Sequence, residues 1–250
     1  FKIAVTSATQ DRAAVQVHDI GVRIFNNEGV TSFEILAGGG LGRTPVIAPV
    51  IKQNLEPKHL LTYLEAILRV YNRYGRRDNK YKARIKILVR AMTPEAFAEK
   101  VDAEWQTLKD GTGTLTNAEI ARVKGHFTIP AYETLEDHVA EIDDRIADNS
   151  GFSNWLKQNV KPHKQPGYSI VNLALKQTGI PPGDVTDEQL ETVANLADEF
   201  SFGEARVTHE QNLTLADVPK RSLFSLWQAL VNAKLATPNL GLLTDIICCP

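Results

Sequence analysis

Val15-Gln16-Val17-His18-Asp19-Ile20-Gly21-Val22-Arg23-Ile24-Phe25, then Asn26-Asn27-Glu28-Gly29, then Ser32-Phe33-Glu34-Ile35-Leu36, is the stretch whose reading decides the fold. Apolar residues recur at every second position on both sides of a turn-forming tetrapeptide, which predicts antiparallel strands. Phe1 to Thr6 alternates in the same way, so a small sheet opens the chain. Gly38-Gly39-Gly40-Leu41-Gly42 breaks the pattern, and Pro57 starts an amphipathic helix with Leu60, Leu61, Leu64, Ile67, Leu68 and Tyr71 on one face. Tyr81 to Val89 alternates again and reads as a further strand.

Downstream the period changes to that of helices. Thr93-Pro94-Glu95 caps and starts one, whose buried stripe is Val101, Trp105 and Leu108. Thr116-Asn117-Ala118-Glu119 has capping-box spacing, Leu135 to Ile146 is helix-periodic, and Phe152 to Val160 is a shorter piece. Lys161 to Gly167 reads as a linker. A second unit follows: strand Tyr168 to Leu175, a turn at Pro181-Pro182-Gly183, a helix opened by Thr186-Asp187-Glu188-Gln189, a strand from Ala205 to Leu215, and a helix from Leu223 to Ala233. This β-α-β-α order is half a ferredoxin-like domain by motif count. The class is α+β.

With 250 residues, 43% hydrophobic and 23% charged, the chain can bury a real core, and a net charge of −2 names no partner. No apolar run approaches the roughly 18 residues that cross a bilayer, and the first residues are strand-like, so no membrane segment or signal peptide is expected and the cytoplasm is the default. The one methionine is Met92, and the chain is expected to be an internal slice of a longer protein. Cys248 and Cys249, the two cysteines, are adjacent, which suits a reducing compartment or a metal role completed elsewhere.

Charge concentrates in one place. Arg69, Arg73, Arg76, Arg77, Lys80, Lys82, Arg84, Lys86 and Arg90 face only Asp78 within the run from 69 to 90. A solvated basic face, a nucleic-acid patch with Tyr71, Tyr74 and Tyr81 as stacking platforms, and a site for a compact polyanion are the three readings. On a strand, Lys82, Arg84 and Lys86 would share one face, a repulsive arrangement best tolerated when a fixed anion neutralises it. The glycine run 38 to 42 lets backbone approach closely but lacks dinucleotide-fingerprint spacing. Polar residues interrupt the strand at Thr208-His209-Glu210-Gln211-Asn212, marking a site or a solvent edge. The other histidines have no metal-ligand spacing, and no nucleophile elbow, P-loop or zinc motif is present.

Taken in order, several segments resemble the sirohaem-dependent sulfite and nitrite reductase family. Phe1-Lys2 resembles the end of its Lys-Phe-Lys element, Gly38-Gly39-Gly40-Leu41 its triple-glycine loop, and Ala83-Arg84-Ile85-Lys86 its basic strand. Arg206-Val207-Thr208 with Gln211-Asn212-Leu213 is similar to its second polar strand, and Cys249-Pro250 to the opening of its cysteine pair separated by five residues. The resemblance implies a sulfite reductase haemoprotein-like mixed sheet with helices: a sirohaem-binding domain over 1–160 with a helical insert at 93–160, the half ferredoxin-like unit over 165–235, and the start of an iron-sulfur region over 236–250.

It also implies a function, the six-electron reduction of sulfite to sulfide or nitrite to ammonia, with electrons from a flavoprotein or a ferredoxin. By this resemblance Lys2 would contact the substrate anion, Arg84 would pair with sirohaem carboxylates beside Lys86, and the Gly38 to Gly40 backbone would lie along the cofactor. Gln211 and Asn212 would hydrogen-bond its periphery, and Cys249 would be one of four thiolates on a 4Fe-4S cluster. The remaining thiolates and further substrate-binding residues are expected outside these 250 residues, so the chain alone is expected to be inactive and to hold neither cluster nor tightly bound sirohaem. The rival from another class is a nucleic-acid-binding module using the run 69 to 90.

Overall fold

A computed structural model describes residues 1–248. They form two compact units, one over Phe1–Thr128 and one from Ile129 onward. In the first, strands β1 (Ile3–Thr6), β2 (Ile20–Asn27), β3 (Val30–Ala37) and β4 (Val50–Leu55) lie side by side in that order. β1 runs parallel to β2, a departure from the antiparallel reading of the alternation, and the other pairs are antiparallel, so the sheet is mixed, as the resemblance implied. The Asn26 to Gly29 turn forms where the alternation placed it, with Gly29 N–H donating to Asn26 Oδ1 at 3.0 Å.

Helices α1 (Leu60–Tyr74), α2 (Ile85–Met92), α3 (Pro94–Gln106) and α4 (Asn117–Lys124) follow. Ile20, Val22, Phe33 and Ile35 from the sheet bury against Tyr63, Ile67, Ile85, Val89, Phe97 and Val101 from α1, α2 and α3. Each such side chain stabilises the unit by about 2 kcal/mol. α1 turns its stripe slightly from the expected face: Leu61 stays half exposed while Tyr63, Ala66 and Val70 are buried.

The second unit contains α5 (Ala140–Asp148), α6 (Ser150–Asn159), β5 (Val160–Pro162), β6 (Tyr168–Leu173), α7 (Asp187–Phe200), β7 (Ala205–Val207), β8 (Leu213–Pro219) and α8 (Leu223–Asn232). Its sheet, ordered β5-β6-β8-β7, is antiparallel throughout. The Thr186 capping box opens α7 with both reciprocal bonds, Gln189 N–H to Thr186 Oγ1 at 3.2 Å and Thr186 N–H to Gln189 Oε1 at 3.1 Å. The expected half ferredoxin-like order is present in β6, α7, β8 and α8, with β5 added at one edge of the sheet and β7 at the other.

Several expectations are corrected. Residues 81 to 89 are not a strand: a single turn of 3-10 helix at Lys80–Lys82 precedes helix α2. Ile85, Leu88, Val89 and Met92 satisfy a helical stripe as well as Ile85, Ile87 and Val89 satisfy alternation, and packing against α1 and α3 selects the helix. The three-cation strand face therefore does not exist. Val15–Val17 is a 3-10 turn that tucks Val15 against Leu36 and Ala48, so the strand begins only at Ile20. β4 had no counterpart among the expected elements. Residues 205 to 215 form two strands, because the polar interruption is a turn that reverses the chain. The helix expected from Leu135 begins at Ala140, and Lys161 lies within β5 rather than in a linker. The division between units falls after Thr128 instead of near 160, because Phe152 and Trp155 of α6 bury in the core made by β6, β8 and α8. Among the described residues no helix is long and apolar enough to cross a membrane.

Candidate cofactor and anion site

The candidate residues divide between the two units. In the first, Asp19 joins two of them. Its Oδ1 accepts from Arg84 Nη2 at 2.7 Å and its Oδ2 from the Lys2 backbone N–H at 3.1 Å. Burial works to raise the Asp19 carboxyl, but the Arg84 hydrogen bond, the Lys2 N–H and the charge of Arg84 outweigh it and hold it below the usual carboxylate range. Arg84 sits just before α2 in extended backbone, with 44% of its side chain exposed against 12% for Asp19. Tyr71 donates its hydroxyl to Ala83 O, the Phe1 ring packs edge-on to Tyr71 at 4.7 Å, and the Arg77 guanidinium lies 4.8 Å over the same ring. Phe1-Lys2 and Ala83-Arg84 thus meet through Asp19 and Tyr71.

Lys86 turns inward. It is buried, and its ammonium donates to Leu41 O at 3.1 Å and Thr44 O at 2.6 Å, tying down the loop after the glycines. Arg84 Nη1 reaches the same Leu41 O at 3.4 Å, so the two neighbours converge on one loop and differ in exposure: Arg84 is half exposed and Lys86 is buried.

Gly38, Gly39 and Gly40 are buried, and atoms of this chain already occupy the space a side chain would need. A Cβ on Gly38, where φ is +92°, would come 2.8 Å from Val89 Cβ; on Gly39, 2.4 Å from Gln16 O; on Gly40, 2.8 Å from Arg84 Nη2. The triple glycine lets the Arg84 guanidinium lie on bare backbone.

The rest of the basic run is partly neutralised by acids on α1, on α3 and within the run itself. Arg69 pairs with Glu65 at 2.5 Å, Arg73 with Glu104 at 3.3 Å, and Arg76 with Asp78. Lys82 and Arg90 make no ion pair within 4.0 Å among the described residues.

In the second unit Gln211 and Asn212 close the turn between β7 and β8. Asn212 is buried: its Oδ1 accepts from Leu175 N–H at 3.0 Å and its Nδ2 donates to Asp245 Oδ1 at 3.1 Å. The Gln211 amide bonds the Cys248 peptide on both sides, Nε2 to Cys248 O at 2.8 Å and Oε1 from Cys248 N–H at 3.0 Å. Lys176, buried, donates to Asp245 Oδ1 at 2.6 Å. Burial works to raise the Asp245 carboxyl, but Gly241 N–H, Lys176 and Asn212 together hold it low. Cys249 lies outside the described residues, and no group of three or more His, Cys, Asp or Glu among those described is arranged to hold a metal.

Asp19, Lys176 and Asp245 were missed by sequence reasoning. Asp19 had a signal: the apolar phase runs through 15 and 17, then switches to 20, 22 and 24, with the acid at the break. Lys176 and Asp245 carried none.

Two family descriptions match the chain: Nitrite and sulphite reductase 4Fe-4S domain over residues 1–109, and Nitrite/Sulfite reductase ferredoxin-like half domain over residues 163–233. A ferredoxin–nitrite reductase of Synechococcus elongatus is 27% identical over 232 residues, 90% of this chain and 37% of that protein. Sulfite reductase [ferredoxin] 1 of Mycolicibacterium paratuberculosis is 25% identical, covering 88% of this chain and 32% of its own length. The chain therefore spans about a third of the length of these relatives. The solved structure of Mycobacterium tuberculosis NirA protein superposes with a TM-score of 0.58 at 23% identity, covering 90% of this chain and 34% of that one, which establishes a shared fold. These matches give the nucleic-acid reading no support.

Proposed function

We propose that this chain, which belongs to the nitrite and sulfite reductase family, is the span of a sirohaem and 4Fe-4S reductase that presents cations to the cofactor and its bound anion. The single observation that carries this reading is the Asp19 bridge between Lys2 and Arg84. A buried acid holds the two candidate cation-bearing segments side by side while leaving the Lys2 residue exposed and the Arg84 guanidinium half exposed. Arg84 directs only Nη1 and Nη2 bonds to its own chain among the described residues, so N–H donors remain to fork onto a carboxylate.

Sirohaem and the cluster, when bound, supply the electrons for reducing sulfite or nitrite. The residues of this chain do the rest of what is assigned here. Arg84 pairs with a cofactor carboxylate, with Asp19 fixing its plane. The Lys2 ammonium hydrogen-bonds an oxygen of the anion and hands it a proton as that oxygen leaves as water. Lys86 and the Gly38 to Gly40 backbone shape the loop against which Arg84 rests, and Gln211 and Asn212 support the segment that precedes Cys249. Cys249, placed by the family resemblance, contributes one ligand to a cluster whose other thiolates come from other residues, since two cysteines cannot make a four-thiolate set. Ferredoxin is the proposed donor, because both relatives above carry it in their names.

The test uses the cofactor-bearing reductase that contains this chain. Reduced ferredoxin should be oxidised on adding sulfite or nitrite, with six electrons consumed per anion, and Arg84→Ala should lower sirohaem occupancy read from its absorbance. A protein that carries both groups yet oxidises ferredoxin with neither anion ends this reading.

A further inference from the structure

Residues 241 to 248 have little regular structure of their own, a single 3-10 turn at Leu243–Asp245. Burial of apolar surface does not hold the segment either, since Leu243, Ile246 and Ile247 are all exposed. It is held by polar groups. Asp245 accepts from Lys176 Nζ at 2.6 Å, Asn212 Nδ2 at 3.1 Å and Gly241 N–H at 2.9 Å. The Lys176 ammonium also donates to Glu210 O, and the buried Asn239 amide donates to Lys176 O and Thr244 O, both at 3.3 Å. Gln211 then pairs with the Cys248 peptide as one strand residue pairs with another, donor to carbonyl and carbonyl to N–H.

This arrangement has a cost. Gln211 adopts φ +59°, a region unfavourable for most side chains, and a buried ion pair is stabilising only when its remaining donors and acceptors are satisfied. Strained backbone and a buried charge persist where the surrounding contacts over-determine them. Here both converge on one short segment, the one that ends in the chain's two cysteines.

We propose that the Thr208 to Asn212 turn and Lys176 form a clasp that fixes the peptide of Cys248, making Gln211, Asn212, Lys176 and Asp245 positioning residues for the cysteine that follows. The proposal rests on the reading of Cys249 as a cluster ligand. It assigns the polar turn a role different from direct cofactor contact: its side-chain amides are engaged by the protein's own backbone and by the Asp245 carboxylate, and their effect on the cluster passes through the cysteine segment.

Two measurements on Gln211→Asn test it, a change that keeps tolerance of the left-handed backbone but shortens the side chain beyond reach of Cys248. In the 250-residue chain, hydrogen exchange at the Cys248 amide should quicken by about fivefold or more, while Val171 and Leu215 in β6 and β8 keep their protection and report an intact fold. In the cofactor-bearing reductase, oxygen should bleach the cluster several-fold faster, with a shift in its electron paramagnetic resonance spectrum, and sirohaem content should stay unchanged. A wild-type Cys248 amide that exchanges at the unprotected rate overturns the clasp. So does a variant whose cluster is as durable and spectroscopically identical to wild type. A wild-type reductase lacking a cluster instead removes the underlying functional reading, and the exchange rates still decide whether the clasp exists.

Discussion

Both units pair one basic side chain with one aspartate, but they expose opposite amounts of the cation. Arg84 leaves 44% of its side chain in solvent above Asp19, whereas Lys176 leaves 2% above Asp245. The half-exposed guanidinium has donors to offer a ligand. The buried ammonium has bonds to Asp245 and Glu210 O and serves the chain itself. Charge in a sequence is therefore a poor guide to ligand contact until its exposure is known, and the same pairing leaves a cation open in one unit and closed in the other.

The sharpest way to break this comparison is to remove the buried cation. Lys176→Met strands the Asp245 carboxylate without its countercharge and should destabilise the second unit by about 3–5 kcal/mol in urea unfolding. Adding Asp245→Asn should recover part of that loss, and no recovery would mean that the ion pair is not what Lys176 supplies. Next in size is Gly39→Ala, where the new Cβ would meet Gln16 O at 2.4 Å and His18 O at 2.6 Å. Backbone cannot yield as a side chain can, so a loss of about 2–3 kcal/mol is expected, read from the unfolding midpoint of the first unit.

A third comparison uses pH. Asp19 and Asp245 are both held below their ordinary value of 3.8, so their contribution is complete above the unfolded-state carboxyl range and is lost as pH falls through about 4 toward the lower folded values. Stability should fall on acidification, and Asp245→Asn should flatten that fall in the second unit while leaving the first unchanged. An acid profile identical to wild type would contradict the Asp245 assignment. The smallest effect belongs to Gly40→Ala, whose Cβ meets only the end of the Arg84 side chain, at 2.8 Å. The guanidinium can swing aside, so the stability loss should be about 1 kcal/mol or less, with a weaker hold on sirohaem as the more sensitive reading.

Local features were legible in the residues. The alternation through Ile20 to Leu36, its turn, and the caps at Thr93, Thr116 and Thr186 all appear where the sequence placed them, because each depends on neighbours a few residues away. Residues 85 to 92 were not legible. Their apolar positions satisfy both periods, and the packed surface that chooses between them comes from other helices. Gln211 and Asn212 were correctly marked as unusual, yet their partners lie more than 30 residues away in an arm with no pattern of its own.

By itself the sequence determined the class of elements, the stock of cations, the two cysteines and the glycines that permit close backbone approach. Only the tertiary structure decided which cations face outward. Arg84 depends on Asp19, 65 residues distant, and Lys86 on Leu41, 45 residues distant. A side chain turns toward solvent or away from it according to which buried acceptors reach it, and those acceptors are brought there by folding rather than by adjacency in the chain.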